Sequence, residues 1–231
     1  MKYYQYTNTQ LDEKAKQLLL EFDPERLERP KPIDVYAVIE KCLDVPYDWK
    51  YLTPDQSVLG VTAFNEGYMW AWPESRYYDG LMPFKVYCEK GTILIEATLT
   101  EQNNRGRENF TVMHEVFHQV LHKKCFADVP ANYLAATYSR TIDGKICCKS
   151  KALRIIEYQA NHCAAAFLMP EKLIKSMYRE LFFPSKDNHH LYSVHDTIAI
   201  MSEQFSVSKQ AMTNRLKYLG IINEKEENIF K

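Results

Sequence analysis

A chain of 231 residues, 46% of them hydrophobic, is long enough to bury a core as one domain, or as one domain with a small appendage. Its formal net charge of −1 excludes a general electrostatic affinity for nucleic acid or anionic membranes. Because it has no long apolar run, no signal-peptide pattern and no C-x-x-C pair among its six cysteines, we expect a cytoplasmic protein with free thiols, no membrane span and no structural zinc ribbon.

The first half of the chain changes from a helical to an extended pattern. Residues 9–22 have a single apolar stripe, which predicts an amphipathic helix, and a second helix is expected over residues 34–43 after a proline pair. Apolar segments then predict strands at residues 49–52, 58–64, 84–88 and 92–96. The turn Glu89-Lys90-Gly91 predicts that the last two strands form a hairpin.

His114-Glu115-Val116-Phe117-His118 is the most informative motif. We expect a helix over about residues 109–122, capped by Asn109 or Thr111. On a helix, residues i and i+4 lie on one face, so both imidazoles can bind one ion. The carboxylate of Glu115 lies to the side and can act as general base. The alternative is a pair of core histidines with other partners.

A catalytic zinc site needs a third protein ligand, and Glu157 is the best candidate. It lies on a predicted helix over about residues 152–169 that Pro170 ends. Asn161 follows at i+4, so it can orient a ligand imidazole from behind. Alanines at 160, 164 and 165 allow close packing against the motif helix, whereas a solvated face is the alternative for Glu157.

Three segments together resemble the ImmA/IrrE family of metallo-endopeptidases: RENFTVMHEVFHQVLH at 107–122, EYQAN at 157–161 and FLMP at 167–170. The resemblance extends to residues 32–39, 58–62 and 205–212. It implies an α+β, zincin-like fold, with a small sheet in the N-terminal half packed on helices and a C-terminal helix-turn-helix-like element.

The same resemblance implies that His114, His118 and Glu157 bind one Zn²⁺, with Mn²⁺ or Fe²⁺ as alternatives, and that Glu115 is the general base. It also implies a protein substrate, a helix-turn-helix repressor of a phage or another mobile element. Family members usually have glycine where this chain has Phe117, and the larger ring is expected to change the shape of the cleft.

We expect a metallopeptidase domain over residues 1–170 and a helical subdomain over 171–231. Within the latter, residues 197–220 have the pattern of a helix-turn-helix, with Ser208 as the cap of the second helix. This element packs on the core or docks a partner, or its cations Lys209, Arg215 and Lys217 contact DNA phosphates. The alternative function is therefore a regulatory protein that keeps the fold and binds DNA or a partner without proteolysis.

Two features beside the motif stay open in the sequence. The strand at 92–96 either borders the cleft and pairs with an extended substrate or is an ordinary internal strand. Residues 124–150 are expected to be a connecting loop with some helix at 130–136, and Tyr133 or Tyr138 can serve as a donor to the oxyanion of peptide hydrolysis.

Overall fold

The chain is a mixed α+β protein, as the sequence predicts. The computed structural model describes residues 3–74, 82–102, 104–126, 136–140, 151–182 and 192–223. Helix α1 (Asn8–Phe22) begins with a capping box in which Thr7 and Gln10 bond each other's backbone N–H groups. Helix α2 (Val35–Val38) continues into a π-helical turn (Ile39–Leu43). Both predicted N-terminal helices are therefore confirmed.

Within the described residues, six strands form two sheets: β1 (Tyr47–Lys50), β2 (Val58–Ala63), β3 (Gly67–Ala71), β4 (Phe84–Cys88), β5 (Ile93–Glu96) and β6 (Ala136–Arg140). The main sheet has the order β1-β5-β2-β6, in which β1 and β5 are parallel and the other pairs antiparallel. Strands β3 and β4 form a separate antiparallel ribbon.

The predicted hairpin between residues 84–88 and 92–96 is wrong. Strand β4 pairs with β3, whereas β5 pairs with β1 and β2. Gly91 has a φ of 96°, and its N–H donates to the carbonyl of Ala63, so the turn leads the chain out of the ribbon and into the main sheet. Every residue of β5 is buried. Because β1 and β2 also pair with its two edges, the strand is internal, which excludes substrate pairing along it.

Strands β3 and β6 are absent from the sequence-based prediction. β6 lies in the segment that we expected to be a loop with some helix, and it becomes a strand by pairing with β2. Its extended state depends on a partner distant in the chain, which local sequence does not reveal. Tyr133 lies outside the described residues, and of Tyr138 only the backbone is described.

The helices of the centre are α3 (Thr98–Glu101), α4 (Arg105–His122) and α5 (Lys151–Leu168). Helix α4 begins earlier than the predicted residue 109, so capping by Asn109 or Thr111 is wrong. Both residues are buried within the helix, and the amide of Asn109 donates to the carbonyl of Ser206 at 2.9 Å. That bond holds the start of α4 against the C-terminal part of the chain.

Small residues allow α4 and α5 to pack closely. Ala160 and Ala164 are fully buried in the main hydrophobic core. Phe117 is also fully buried and packs edge-on against Phe167, with ring centroids 6.0 Å apart. The ring of Phe117 therefore fills space between the two helices.

Three more helices complete the described chain: α6 (Glu171–Phe182), α7 (Val194–Gln204) and α8 (Lys209–Tyr218). Ser208 caps α8, as predicted, because its hydroxyl accepts the N–H of Ala211. A Cβ on Gly106 of α4 would lie 2.5 Å from the backbone of Val207, between α7 and α8. The C-terminal helices thus pack directly on the central helix, and they share one hydrophobic core with it.

No helix in the described ranges is long and apolar enough to cross a bilayer. The four cysteines within those ranges, at positions 42, 88, 125 and 163, are free thiols, as expected.

Candidate metal centre

Three side chains from α4 and α5 meet at one point. The Nε2 atoms of His114 and His118 lie 2.8 Å apart, and they lie 3.1 Å and 3.3 Å from the two carboxylate oxygens of Glu157. One ligand atom from each residue lies within 4.8 Å of the others, and all three side chains are buried. Helical spacing predicts the two histidines, and Glu157 is the candidate third ligand that the sequence offers; together they could hold a metal ion.

Asn161 lies one turn after Glu157, behind the first histidine. Its Oδ1 is 3.0 Å from Nδ1 of His114. In this arrangement the ring donates its Nδ1 proton to the amide oxygen, which leaves a lone pair on Nε2 toward the cluster. The contact anticipated from the i+4 spacing is therefore present.

A longer chain of hydrogen bonds supports His118. Its Nδ1 lies 3.0 Å from Nδ1 of His122, Nε2 of His122 lies 3.0 Å from Oε1 of Gln159, and Nε2 of Gln159 donates to the carbonyl of Tyr4 at 2.8 Å. The final carbonyl only accepts, so the amide of Gln159 must place its oxygen toward His122. His122 then donates from Nε2 and accepts at Nδ1, and His118 donates from Nδ1.

Both motif histidines consequently direct an unprotonated Nε2 into the same space as an ionised carboxylate. Two imidazole nitrogens and two carboxylate oxygens with contacts of 2.8 to 3.3 Å repel one another unless a cation lies between them. Tetrahedral zinc with bonds of about 2.1 Å holds its ligand atoms roughly 3.4 Å apart, close to these separations. The donor set therefore fits zinc, or another divalent ion that accepts imidazole and carboxylate ligands.

Charge interactions within the cluster agree with a site for a cation. Burial opposes the charged form of His114, but the hydrogen bond and the charge of Glu157 raise the pKa of the imidazole above its ordinary value. Burial also opposes ionisation of Glu157, yet its contacts with the two neighbouring imidazoles lower the pKa of that carboxyl. In the metal-free protein a proton therefore binds readily where an ion would.

His122 has the opposite tendency. Burial, followed by the charge of His118, lowers the pKa of His122 to about 3. The imidazole is therefore neutral at physiological pH, as its position between an N–H donor and an amide acceptor requires.

Glu115 is fully buried and turns toward strand β2. The hydroxyl of Thr62 donates to its Oε2 at 2.6 Å and also lies 3.2 Å from its backbone carbonyl. A Cβ on Gly60 would lie only 2.5 Å from Oε1 of Glu115. Thr62 thus holds the carboxylate of Glu115, and Gly60 leaves space for it because glycine has no side chain.

Sequence reasoning missed four supporting residues: Gly60, Thr62, His122 and Gln159. For His122 a signal was present, because it follows His118 at the same i+4 spacing that relates the motif histidines. For the other three no local signal exists, since their roles depend on how β2 and the N-terminal segment pack against the helices.

One of the three cations named for DNA contact, Arg215, is buried in the protein. Arg215 is 4% exposed, its Nε donates to the carbonyl of Met169 at 3.1 Å, and a guanidinium nitrogen lies 3.9 Å from Asp12. A side chain that bridges α5 and α1 in this way is not placed to contact DNA phosphates.

The chain matches no protein-family model, and no curated protein matches it either.

Proposed function

We propose that this protein is a metal-dependent endopeptidase of the ImmA/IrrE type, with a zincin-like fold. The observation that carries the proposal is the convergence of His114, His118 and Glu157, with Glu115 on the same helix turn. Three protein ligands leave a coordination position open, as catalytic zinc sites do, whereas structural zinc sites usually have four.

His114, His118 and Glu157 would hold the ion, which supplies polarisation of a peptide carbonyl and acidification of water. Glu115 accepts the proton of the attacking water and delivers it to the leaving amine. Thr62 keeps the carboxylate oriented by donating to Oε2. The side chains of all four motif and ligand residues are buried, which strengthens these electrostatic interactions by excluding water.

The substrate class follows from the resemblance of residues 107–122 and 157–161 to ImmA/IrrE proteins. We propose a helix-turn-helix repressor of a mobile element, whose cleavage releases the genes that it silences. The alternative, a DNA-binding regulator without proteolysis, gains no support from the buried and bonded Arg215.

The proposal is tested by comparing wild type with Glu115→Gln in cells that carry mobile-element repressors. New protein N-termini are mapped by mass spectrometry after induction of each variant. We expect repressor fragments with wild type and none with Glu115→Gln. This variant keeps all three metal ligands and replaces only one carboxylate oxygen of Glu115 by an amide nitrogen. Equal fragment sets, or none with wild type at full metal loading, would contradict the protease proposal.

A further inference from the structure

We infer that His122 and Gln159 are positioning residues of the metal centre, which hold His118 in its Nδ1–H tautomer and anchor it to the N-terminal segment at Tyr4. The inference rests on the metal site of the proposed function. It concerns residues outside the ligand set.

The hydrogen-bond chain has only one consistent pattern of donors and acceptors. Its last acceptor, the carbonyl of Tyr4, fixes the orientation of the Gln159 amide, which in turn fixes His122 and then His118. If His118 carried its proton on Nε2, that proton would point at His114, 2.8 Å away, in the space for the ion. The chain therefore prepares the ligand nitrogen before the metal arrives.

Burial makes this support strong. His122 is 1% exposed and Gln159 2% exposed, so water cannot replace a lost partner without a rearrangement. The chain also extends the centre beyond α4 and α5. Because Gln159 bonds the backbone of Tyr4, and Tyr158 beside it donates to Asn8, the segment before α1 and the first residue of α1 are both tied to the helix that carries Glu157.

Another buried histidine on α5 provides a matched comparison. His162 is 7% exposed and its Nε2 lies 3.0 Å from Asp12, but it contacts no metal ligand. A role in packing alone predicts that His122 and His162 are equivalent with respect to metal binding. A positioning role predicts that only His122 matters.

The experiment measures the zinc dissociation constant of the full chain by competition with a chromophoric chelator. The variants are His122→Leu, His122→Asn, Gln159→Met and, as the control, His162→Leu. We expect His122→Leu to bind zinc about 10- to 100-fold more weakly. His122→Asn, whose Oδ1 can accept a hydrogen bond from His118, should restore most of the zinc affinity. Gln159→Met should bind zinc several-fold more weakly than wild type.

The control His162→Leu should lower the melting temperature and leave the zinc dissociation constant unchanged. Unchanged affinity in both His122→Leu and Gln159→Met overturns the inference, as does an equal loss in His162→Leu. If His122→Leu does not fold, the zinc dissociation constants of Gln159→Met and His122→Asn test the inference instead. A wild type that binds no zinc overturns the inference together with the proposed function, whereas absence of cleavage by fully zinc-loaded wild type overturns the proteolytic function alone.

Discussion

Helix α5 has buried histidine–carboxylate contacts on two sides, and they differ in how their charges are balanced. Toward α1, the carboxylate of Asp12 meets His162 at 3.0 Å and the guanidinium of Arg215 at 3.9 Å, so donors face an acceptor. Toward α4, Glu157 meets two imidazole nitrogens whose protons are used elsewhere. The first cluster is complete without an ion, whereas the second consists of ligand atoms that could hold one.

The difference shows that burial of a histidine beside a carboxylate does not by itself identify a metal site. What distinguishes the two clusters is the direction of each ring proton. That direction follows from the outer partner of the ring, Asn161 for His114 and His122 for His118.

The largest effect on chemistry, without loss of metal, is expected from Gly60→Ala. The added Cβ lies 2.5 Å from Oε1 of Glu115, so the carboxylate must move. A displacement of about 1 Å can reduce turnover roughly 100-fold. The assay is cleavage of the repressor found with wild type, measured as kcat at equal zinc content. Gly220→Ala, where nothing lies within 4 Å of the new Cβ but the φ of 66° makes a side chain strained, serves as control: it should lower stability and keep wild-type turnover.

Thr62→Val removes the hydrogen bond to Glu115 while keeping the shape of the side chain. A bond to a charged group contributes about 1.5–3 kcal/mol, which corresponds to a loss of about 10- to 100-fold in kcat if it acts fully in the transition state. Thr62→Ser keeps the hydroxyl and should restore turnover. Equal rates for Val and Ser variants at this position would show that the bond does not orient the base.

On the other side of α5, Arg215→Met is expected to lower the free energy of unfolding by about 1–3 kcal/mol, because it leaves the carbonyl of Met169 without its donor. The measurement is denaturant unfolding of the metal-free protein. The zinc dissociation constant should stay at the wild-type value. A large loss of zinc affinity in this variant would mean that the Asp12 cluster and the metal centre are coupled, which would contradict their independence.

A separate effect concerns the dependence of folding stability on pH. The pKa of His122 is lowered to about 3 in the fold, and an unfolded histidine titrates near 6.5, so the unfolded chain binds this proton more readily. His122 therefore favours the folded state above about pH 6.5, and this contribution is lost as the pH falls toward 3. In metal-free protein, His122→Asn should show a shallower loss of stability across that range than wild type. Parallel curves for the two proteins would contradict the shifted pKa.

The sequence predicts those residues of the centre whose roles depend only on neighbours within the same helix. The pairs at i and i+4 predicted two ligands on α4 and, on α5, the relation of Glu157 to Asn161, because helix geometry fixes both. Thr62 and Gly60 depend on the register of β2 against α4, which sequence spacing does not encode. The failed hairpin has the same origin, since the partners of β5 come from β1 and β2 rather than from its neighbour in the chain.

We propose that His114, His118 and Glu157 bind a metal ion. The decisive measurement is elemental analysis of protein purified without a histidine tag, with His114→Ala and Glu157→Ala beside Glu115→Gln and His162→Ala. We predict about one zinc per chain in wild type, Glu115→Gln and His162→Ala, and near-complete loss in both ligand variants. No metal in wild type after reconstitution with zinc, or equal metal in the ligand variants, would contradict the account.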